Sequence, residues 1–387
     1  MIQKYIDKIH RLFLFILYRV FEYQKLDNTL VAFSSDVDYS DNSRVLYEYL
    51  LKNRQQYHYV WLLRKESVPV MKPKTEFVPL FGSVRSVHLL ANAKYVFYTH
   101  PLGNWFHPRK DQIVVNLWHG IPFKGVKGDV TPSKPQFNYL LCLGDNNIST
   151  SAKFVGCPDS YVRPWGYPRL DLLFINREDG KMNPFAPKGF CGKLVIWMPT
   201  FRKSLAKNLS EDICDSNTGL PLLKDKKDLY DFNVFLKDIN VAVIVKIHHL
   251  QANKDSFQHS FSNLIFIQDK DISAKNYQLY EVVAKSDALL TDYSSILADY
   301  LVMDKPIGCI LDDIKEYEES RGEFMYSPIL DVLAGSHIYD KEQLAVFFME
   351  IAKGIDSSAA FRSRVKKMMI KYPDGNNCKR IITNLGM

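Results

Sequence analysis

The chain of 387 residues has little cysteine, and what it has is scattered. Cys142, Cys157, Cys191, Cys214, Cys309 and Cys378 form no C-x-x-C pair and no close Cys/His grouping, which excludes a structural zinc motif and a disulfide framework. Reduced thiols in a cytosolic protein are the expectation. No run of about twenty apolar residues is present, so no transmembrane helix is predicted. There is no internal repeat and no low-complexity tract. No G-x-G-x-x-G follows a strand-like run, and the GVKGD stretch (125–129) is too poor in glycine for a P-loop.

Aromatic residues are abundant at 13%, with 22 Tyr and 24 Phe, and the net charge of +7 favours anionic partners. The basic residues are dispersed and form no RNP-like or helix-turn-helix pattern, so nucleic acid is not an expected partner. At this length the chain suits two domains.

The first residues, MIQKYIDKIHRLFLFILYRVFEY, have a short apolar run broken by Arg19 and no small-residue cleavage site, unlike a signal peptide. Read as a helix, Ile2, Ile6, Ile9, Phe13, Ile16, Val20 and Tyr23 form one stripe, with Lys4, Lys8, Arg11 and Arg19 mostly away from it. Leu12, Phe15 and Leu17 widen the apolar face. The pattern fits an amphipathic helix lying in a membrane interface over residues 1–25. An amphipathic helix packed on its own domain or on a partner fits the same spacing.

Beyond residue 27 short apolar runs alternate with helical patterns. Strands are predicted at 28–35, 57–63, 94–100, 112–119 and 137–144, with helices at 41–53 and 83–93. A stretch rich in Gly, Pro, Asn and charge, 171–192, reads as a linker. The alternation then resumes, with strands at 193–200, 240–249, 263–268, 287–295 and 306–310. Two doubly wound α/β domains are therefore expected, 26–170 and 193–360, facing a central cleft, with a crossing helix at 361–387.

Ligands of such sheets bind outside the carboxyl ends of the strands. Polar residues gather there: His119 after VVNLW, Thr200 and Arg202 after VIWMP, Lys246 and His248 at the end of VIVKIH, and Asp292, Ser294 and Ser295 after ALLT. Singly, each has an ordinary explanation as a packing residue, a solvated charge or a helix cap. Their joint placement at strand ends in both halves is what points to a site. The DYSS run also opens a helix whose N-terminal amides attract phosphate.

The segments LWHGIPFK (117–124), GYPRLD (166–171), MPTFR (198–202), KIHH (246–249), TDYSSILADYLVMDKPI (291–307) and YPDGNNCKRI (372–381) resemble the CDP-glycerol glycerophosphotransferases, builders of teichoic acids and related polyol-phosphate capsule polymers. The resemblance covers roughly 90–385. It departs at His249, where the family has proline, and at Asn377, where the family has a small residue. It implies a GT-B-like fold with two Rossmann-like domains. It also implies a peripheral place on the cytoplasmic face of the membrane, against the anionic inner leaflet. The implied reaction is attack by an acceptor hydroxyl on the β-phosphorus of CDP-glycerol, with release of CMP. The acceptor is a lipid-linked glycan or a polyol-phosphate chain.

On that resemblance His119 is the general base and His248 stabilises the diphosphate. A neutral alcohol needs a base near pH 7, and histidine, with an ordinary pKa of about 6.5, is the nearest. Ser294 and Ser295 are expected to hold phosphate oxygens, Lys124 and Arg202 to supply charge, and Thr200 and Lys246 to bind substrate. Asp292 would orient a histidine or bind a hydroxyl, and Arg321 would reach the nucleotide. No cofactor and no metal is expected, on the reading that no D-x-D pair follows a strand. CDP-ribitol or a nucleotide sugar is the alternative donor, and the length suits an enzyme that adds a single unit.

Overall fold

The computed structural model describes residues 2–65, 74–81, 83–125, 135–175, 182–200, 218–247, 260–321 and 323–387, apart from the side chains of residues 2–11, 320 and 321. The chain divides into two compact units. The first comprises Met1–His119, Val130–Asp171 and Asp374–Met387; the second comprises Gly120–Asp129 and Leu172–Pro373.

The first unit carries β1 (Asp27–Ser34), β2 (His58–Leu63), β3 (Thr75–Pro79), β4 (Ala93–Tyr98), β5 (Ile113–Asn116), β6 (Tyr139–Leu141) and β7 (Val162–Arg163). They form one sheet in the order β3-β2-β1-β4-β5-β6-β7, every pair parallel. A parallel sheet covered by helices on both faces asks for near-continuous apolar strands. LVAFS of β1 and YVWLL of β2 meet that demand, each residue being buried. Phe33 stacks on Trp61 and Phe97 across neighbouring strands, with ring centroids 5.6 and 5.3 Å apart.

The second unit repeats the plan with β8 (Lys193–Trp197), β9 (Val241–Lys246), β10 (Leu264–Ile267), β11 (Ala288–Thr291), β12 (Ile307–Ile310) and β13 (Ser336–Ile338), in the order β10-β9-β8-β11-β12-β13 and again all parallel. In each sheet the strand order turns back once, between β1 and β4 and between β8 and β11. Crevices open at such switch points.

The short strands β3, β7 and β13 and the helix Ile148–Val155 escape the periodicity of the sequence, because two to eight residues give it too few repeats to register. The segment read as a linker opens with a helix, Asp171–Ile175. At the other end, the helix Ala359–Met369 belongs to the second unit and the helix Asn377–Asn384 to the first.

The N-terminal helix runs Ile2–Phe21. Leu14 and Tyr18 are buried, and Leu17 and Phe21 pack partly beside them. Tyr18 sits edge-on against Trp105 and Phe106 and donates to the carbonyl oxygen of His107 at 2.5 Å. The described part of the predicted stripe lies elsewhere: Phe13, Ile16 and Val20 are each more than half exposed, as is Leu12. The helix docks by one face and leaves a second apolar face uncovered. Among the described residues no helix is long and apolar enough to cross a membrane. Cys142, Cys157, Cys191, Cys309 and Cys378 are in no disulfide, and Cys214 lies outside the described residues.

Candidate active site

The register Tyr98↔Asn116 brings the ends of β4 and β5 together. Two residues past β4 stands His100, and three past β5 stands His119. Their rings stack 4.5 Å apart and 9° from parallel, and His119 also stacks on Trp118 at 4.2 Å. The turn between strand and loop is unusual. Trp118 has φ of 57° and Gly120 φ of 131°, a region that side chains rarely occupy, so glycine is the residue that fits after the histidine.

That turn is held from two sides. The buried Asn42 donates from Nδ2 to the Trp118 carbonyl at 2.9 Å and accepts the Arg169 backbone N–H at 3.0 Å. Arg169, also buried, donates through Nη2 to the His119 carbonyl and through Nη1 to Asp41. A forked guanidinium suits this double duty. The GYPRLD motif thus supplies a clamp for the His119 backbone.

The His119 ring meets the Thr99 carbonyl at Nδ1, 3.3 Å away. A carbonyl only accepts, so Nδ1 carries the hydrogen and Nε2 is left as the basic nitrogen. No described residue hydrogen-bonds Nε2. Burial draws the His119 pKa down to about 4; His100 and Arg169 push the same way, against the Thr99 hydrogen bond and Asp41. The imidazole is therefore neutral at pH 7, the state a base needs. An approaching diphosphate would move the value back up, since a nearby anion favours imidazolium.

In the second unit Trp197 of β8 lies beside Leu290 of β11. Thr200 and Asp292, three and two residues further on, consequently meet. Both oxygens of the fully buried Asp292 accept from Thr200, Oδ2 from the backbone N–H at 2.7 Å and Oδ1 from the hydroxyl. Lys124 donates to the Thr200 hydroxyl oxygen at 3.2 Å, its ammonium 5.9 and 5.7 Å from the ring centres of Tyr293 and Tyr317. The loop bearing Lys124 is fixed by close backbone approach. A Cβ on Gly125 would stand 1.7 Å from the Glu323 carbonyl oxygen, and Met325 N–H donates to the Phe123 carbonyl.

Ser294 and Ser295 follow directly, half-buried, and neither hydroxyl has a hydrogen-bond partner among the described residues. Lys246 ends β9, the neighbour of β8 on its other side, and its ammonium pairs with Asp269 at 2.8 Å. The structure therefore brings Lys124, Thr200 and Asp292 into one cluster with the two serines beside it. It gives Lys246 a partner of its own. Arg202 and His248, and the side chain of Arg321, lie outside the described residues.

Asp292, expected to orient a histidine or bind a ribose or glycerol hydroxyl, is seen holding Thr200. One sequence reading changes: a D-x-D pair does follow a strand, Asp36-Val37-Asp38 after β1. Asp38 uses both oxygens to accept the backbone N–H groups of Arg64 and Lys65 at 2.7 Å. Among the described residues no cluster of three or more His, Cys, Asp or Glu side chains suits a metal ion. The roles of Thr99, His100, Asn42 and Arg169 were not assigned from sequence. The strand-end rule that selected His119 selects Thr99 and His100 equally well when applied to KYVFYTH.

Asp171, the last residue of GYPRLD, is buried and closes the first unit. Its carboxylate accepts the backbone N–H groups of Asn377 and Cys378 and the Asn377 side-chain amide, at 2.8–2.9 Å, capping the helix Asn377–Asn384. Burial nevertheless pushes its pKa up to about 6. The DGNNCKR segment is thus a helix start held by an acid 206 residues earlier.

Two all-parallel sheets, each with its polar cluster at the carboxyl ends near the switch point, define a GT-B-like α/β protein. The structure of the wall teichoic acid polymerase TagF has the same fold, with a TM-score of 0.75 at 17% identity, over 100% of this chain and 97% of that one. Residues 16–386 match the family described as CDP-glycerol:poly(glycerophosphate) glycerophosphotransferase, and the chain belongs to that family. A teichoic acid poly(glycerol phosphate) polymerase of Staphylococcus epidermidis is 25% identical over 324 residues, 74% of this chain but 41% of the polymerase. The chain thus spans less than half of that relative's length. A teichoic acid ribitol-phosphate primase of Bacillus spizizenii is 24% identical over 385 residues, covering 92% of this chain and 90% of the primase.

Proposed function

We propose that the protein transfers glycerol phosphate from CDP-glycerol to a hydroxyl of a membrane-linked acceptor, in the synthesis of a teichoic-acid-like or capsule polymer. The acceptor oxygen attacks the β-phosphorus, the bond from that phosphorus to the bridging oxygen breaks, and CMP leaves with the bridging oxygen. The acceptor's proton passes to Nε2 of His119. The observation that carries this reading is the His119 ring, hydrogen-bonded to the Thr99 carbonyl through Nδ1, with no hydrogen bond at Nε2 among the described residues.

Lys124, Thr200, Ser294 and Ser295 supply a cation and hydroxyls for the diphosphate, already in place before charge develops on the leaving oxygen. Asp292 acts through Thr200 as a positioning residue. His248, Arg202, Lys246 and Arg321 are assigned to the donor by the family motifs they match. The exposed face Leu12, Phe13, Ile16 and Val20 supports peripheral association with the cytoplasmic face of the membrane.

CDP-ribitol is the second reading, favoured by the ribitol-phosphate primase that the chain matches nearly end to end. The test is purified protein with CDP-glycerol, CDP-ribitol or UDP-sugars and a detergent-solubilised lipid-linked acceptor. Acceptor-dependent CMP release from CDP-glycerol, with a mass gain of one glycerophosphate and loss of both in His119→Ala, is the expected result. CMP release from CDP-ribitol alone moves the reading to the second donor, and UDP release with a hexose gain overturns it.

A further inference from the structure

His100 has no place in the motifs that identify the family, yet it stacks on the proposed base on equal terms with Trp118, and its ring is the more nearly parallel of the two. The sheet puts it there: β4 and β5 are neighbours in register, so the residues just beyond them share one crevice wall. Thr99 holds both rings at once. Its carbonyl accepts from His119 Nδ1, and its hydroxyl meets His100 Nδ1 at 3.0 Å. Each imidazole is thereby fixed at one nitrogen by the same residue. With the rings 9° from parallel, a tilt of one presses on the other.

We propose that His100 is a positioning residue for the transfer reaction, its ring keeping the His119 imidazole in the plane that presents Nε2 to the acceptor hydroxyl. The inference rests on the reading of His119 as the base. Orientation of this kind matters because a misplacement of about 1 Å at a reacting group can cost about 100-fold in rate. The stack also limits charge, since two parallel imidazolium rings 4.5 Å apart repel, so the pair takes up at most one proton at a time. Asp36, Asp41 and Arg64 face His100, while Asp41 and Arg169 face His119. Burial lowers the pKa of both rings. When His119 takes the acceptor's proton, a neutral His100 is the neighbour it meets.

The experiment compares the full chain with His100→Ala and His100→Phe. The phenylalanine keeps a flat ring against His119 and cannot titrate. Two readouts are taken: the titration of His119 by NMR of 13C-labelled histidine, assigned with His119→Gln, and CMP release from CDP-glycerol as a function of pH. In His100→Ala the His119 midpoint should rise by a unit or more, and kcat should fall about 10-fold with little change in KM for CDP-glycerol. His100→Phe should recover most of that kcat and keep the midpoint low. An unmoved midpoint in His100→Ala overturns the proposal, as does an equal loss of kcat in both variants. If the wild-type chain releases no CMP from CDP-glycerol, the donor reading fails, and the titration alone decides whether His100 holds His119.

Discussion

Arg169 donates a hydrogen bond through Nη2 to the carbonyl oxygen of His119, 3.0 Å away, while Nη1 holds Asp41. The base is thus gripped by its backbone, and the left-handed turn at Trp118 persists because Asn42 and Arg169 over-determine it. Arg169→Lys retains a charge but not the fork. It should lower kcat about 10-fold or more while leaving the fold intact, because one ammonium cannot reproduce two directed bonds. Steady-state kinetics with circular dichroism of the same sample checks this. A melted protein would point to a scaffold role, and unchanged kcat would remove Arg169 from the positioning machinery.

His119→Ala should cost at least ~100-fold in rate if the imidazole is the general base. The pH dependence carries a sign. The folded value of about 4 lies below the ordinary 6.5, so between them the unfolded chain binds more protons than the native one. The contribution of a neutral buried His119 is complete above pH 6.5 and is lost as pH falls through 4. Urea midpoints measured from pH 4 to 7 should therefore fall more steeply toward acid in the wild type than in His119→Gln. Parallel curves would show that the ring is not held neutral.

In the second unit, Asp292→Ala removes both acceptors from Thr200. Hydrogen bonds to a charged group contribute about 1.5–3 kcal/mol each, so losing two predicts a loss of about 3–6 kcal/mol in stability, together with a raised KM for the donor. Thr200→Val keeps the shape, removes the hydroxyl that Lys124 reaches, and should raise KM with less loss of stability. Equal KM values in Thr200→Val and wild type would take the cluster out of donor binding.

The exposed helix face gives a fourth prediction. Leu12, Phe13, Ile16 and Val20 make no part of the core, so their joint change to serine should leave the melting temperature within a few degrees. Sedimentation with anionic phosphatidylglycerol vesicles should lose the variant and retain the wild type. Leu14→Ser serves as the contrast, since Leu14 is buried and should destabilise the fold instead.

Much of this was readable from the chain. The strand-end rule located His119, Thr200, Asp292 and the serines because a parallel sheet carries all its carboxyl ends on one edge. The helix Asp41–Asn53 matched its predicted span, its buried Val45, Leu46 and Leu50 falling at helical spacing, although its N-cap is Ser40 rather than the Asp/Asn/Ser run. Partners brought together by register were not legible. Nothing local to Asp292 says that its oxygens hold Thr200, 92 residues away, and nothing local to His100 names His119. The N-terminal stripe illustrates a different limit. Periodicity marks an apolar face but not what covers it, and here Leu14 and Tyr18 face the protein while Phe13, Ile16 and Val20 do not.

The capping of the helix Asn377–Asn384 by Asp171 has a consequence for the order of synthesis. The amides that satisfy Asp171 are made only after the whole of Leu172–Pro373, the bulk of the second unit, has been synthesised. Domains generally fold as units with the N-terminal one first, but here the earlier unit must wait with a carboxylate lacking its cap. During that interval the newborn first unit lacks the helix Asn377–Asn384, and the seam it will cover is closed by a segment made after the second unit.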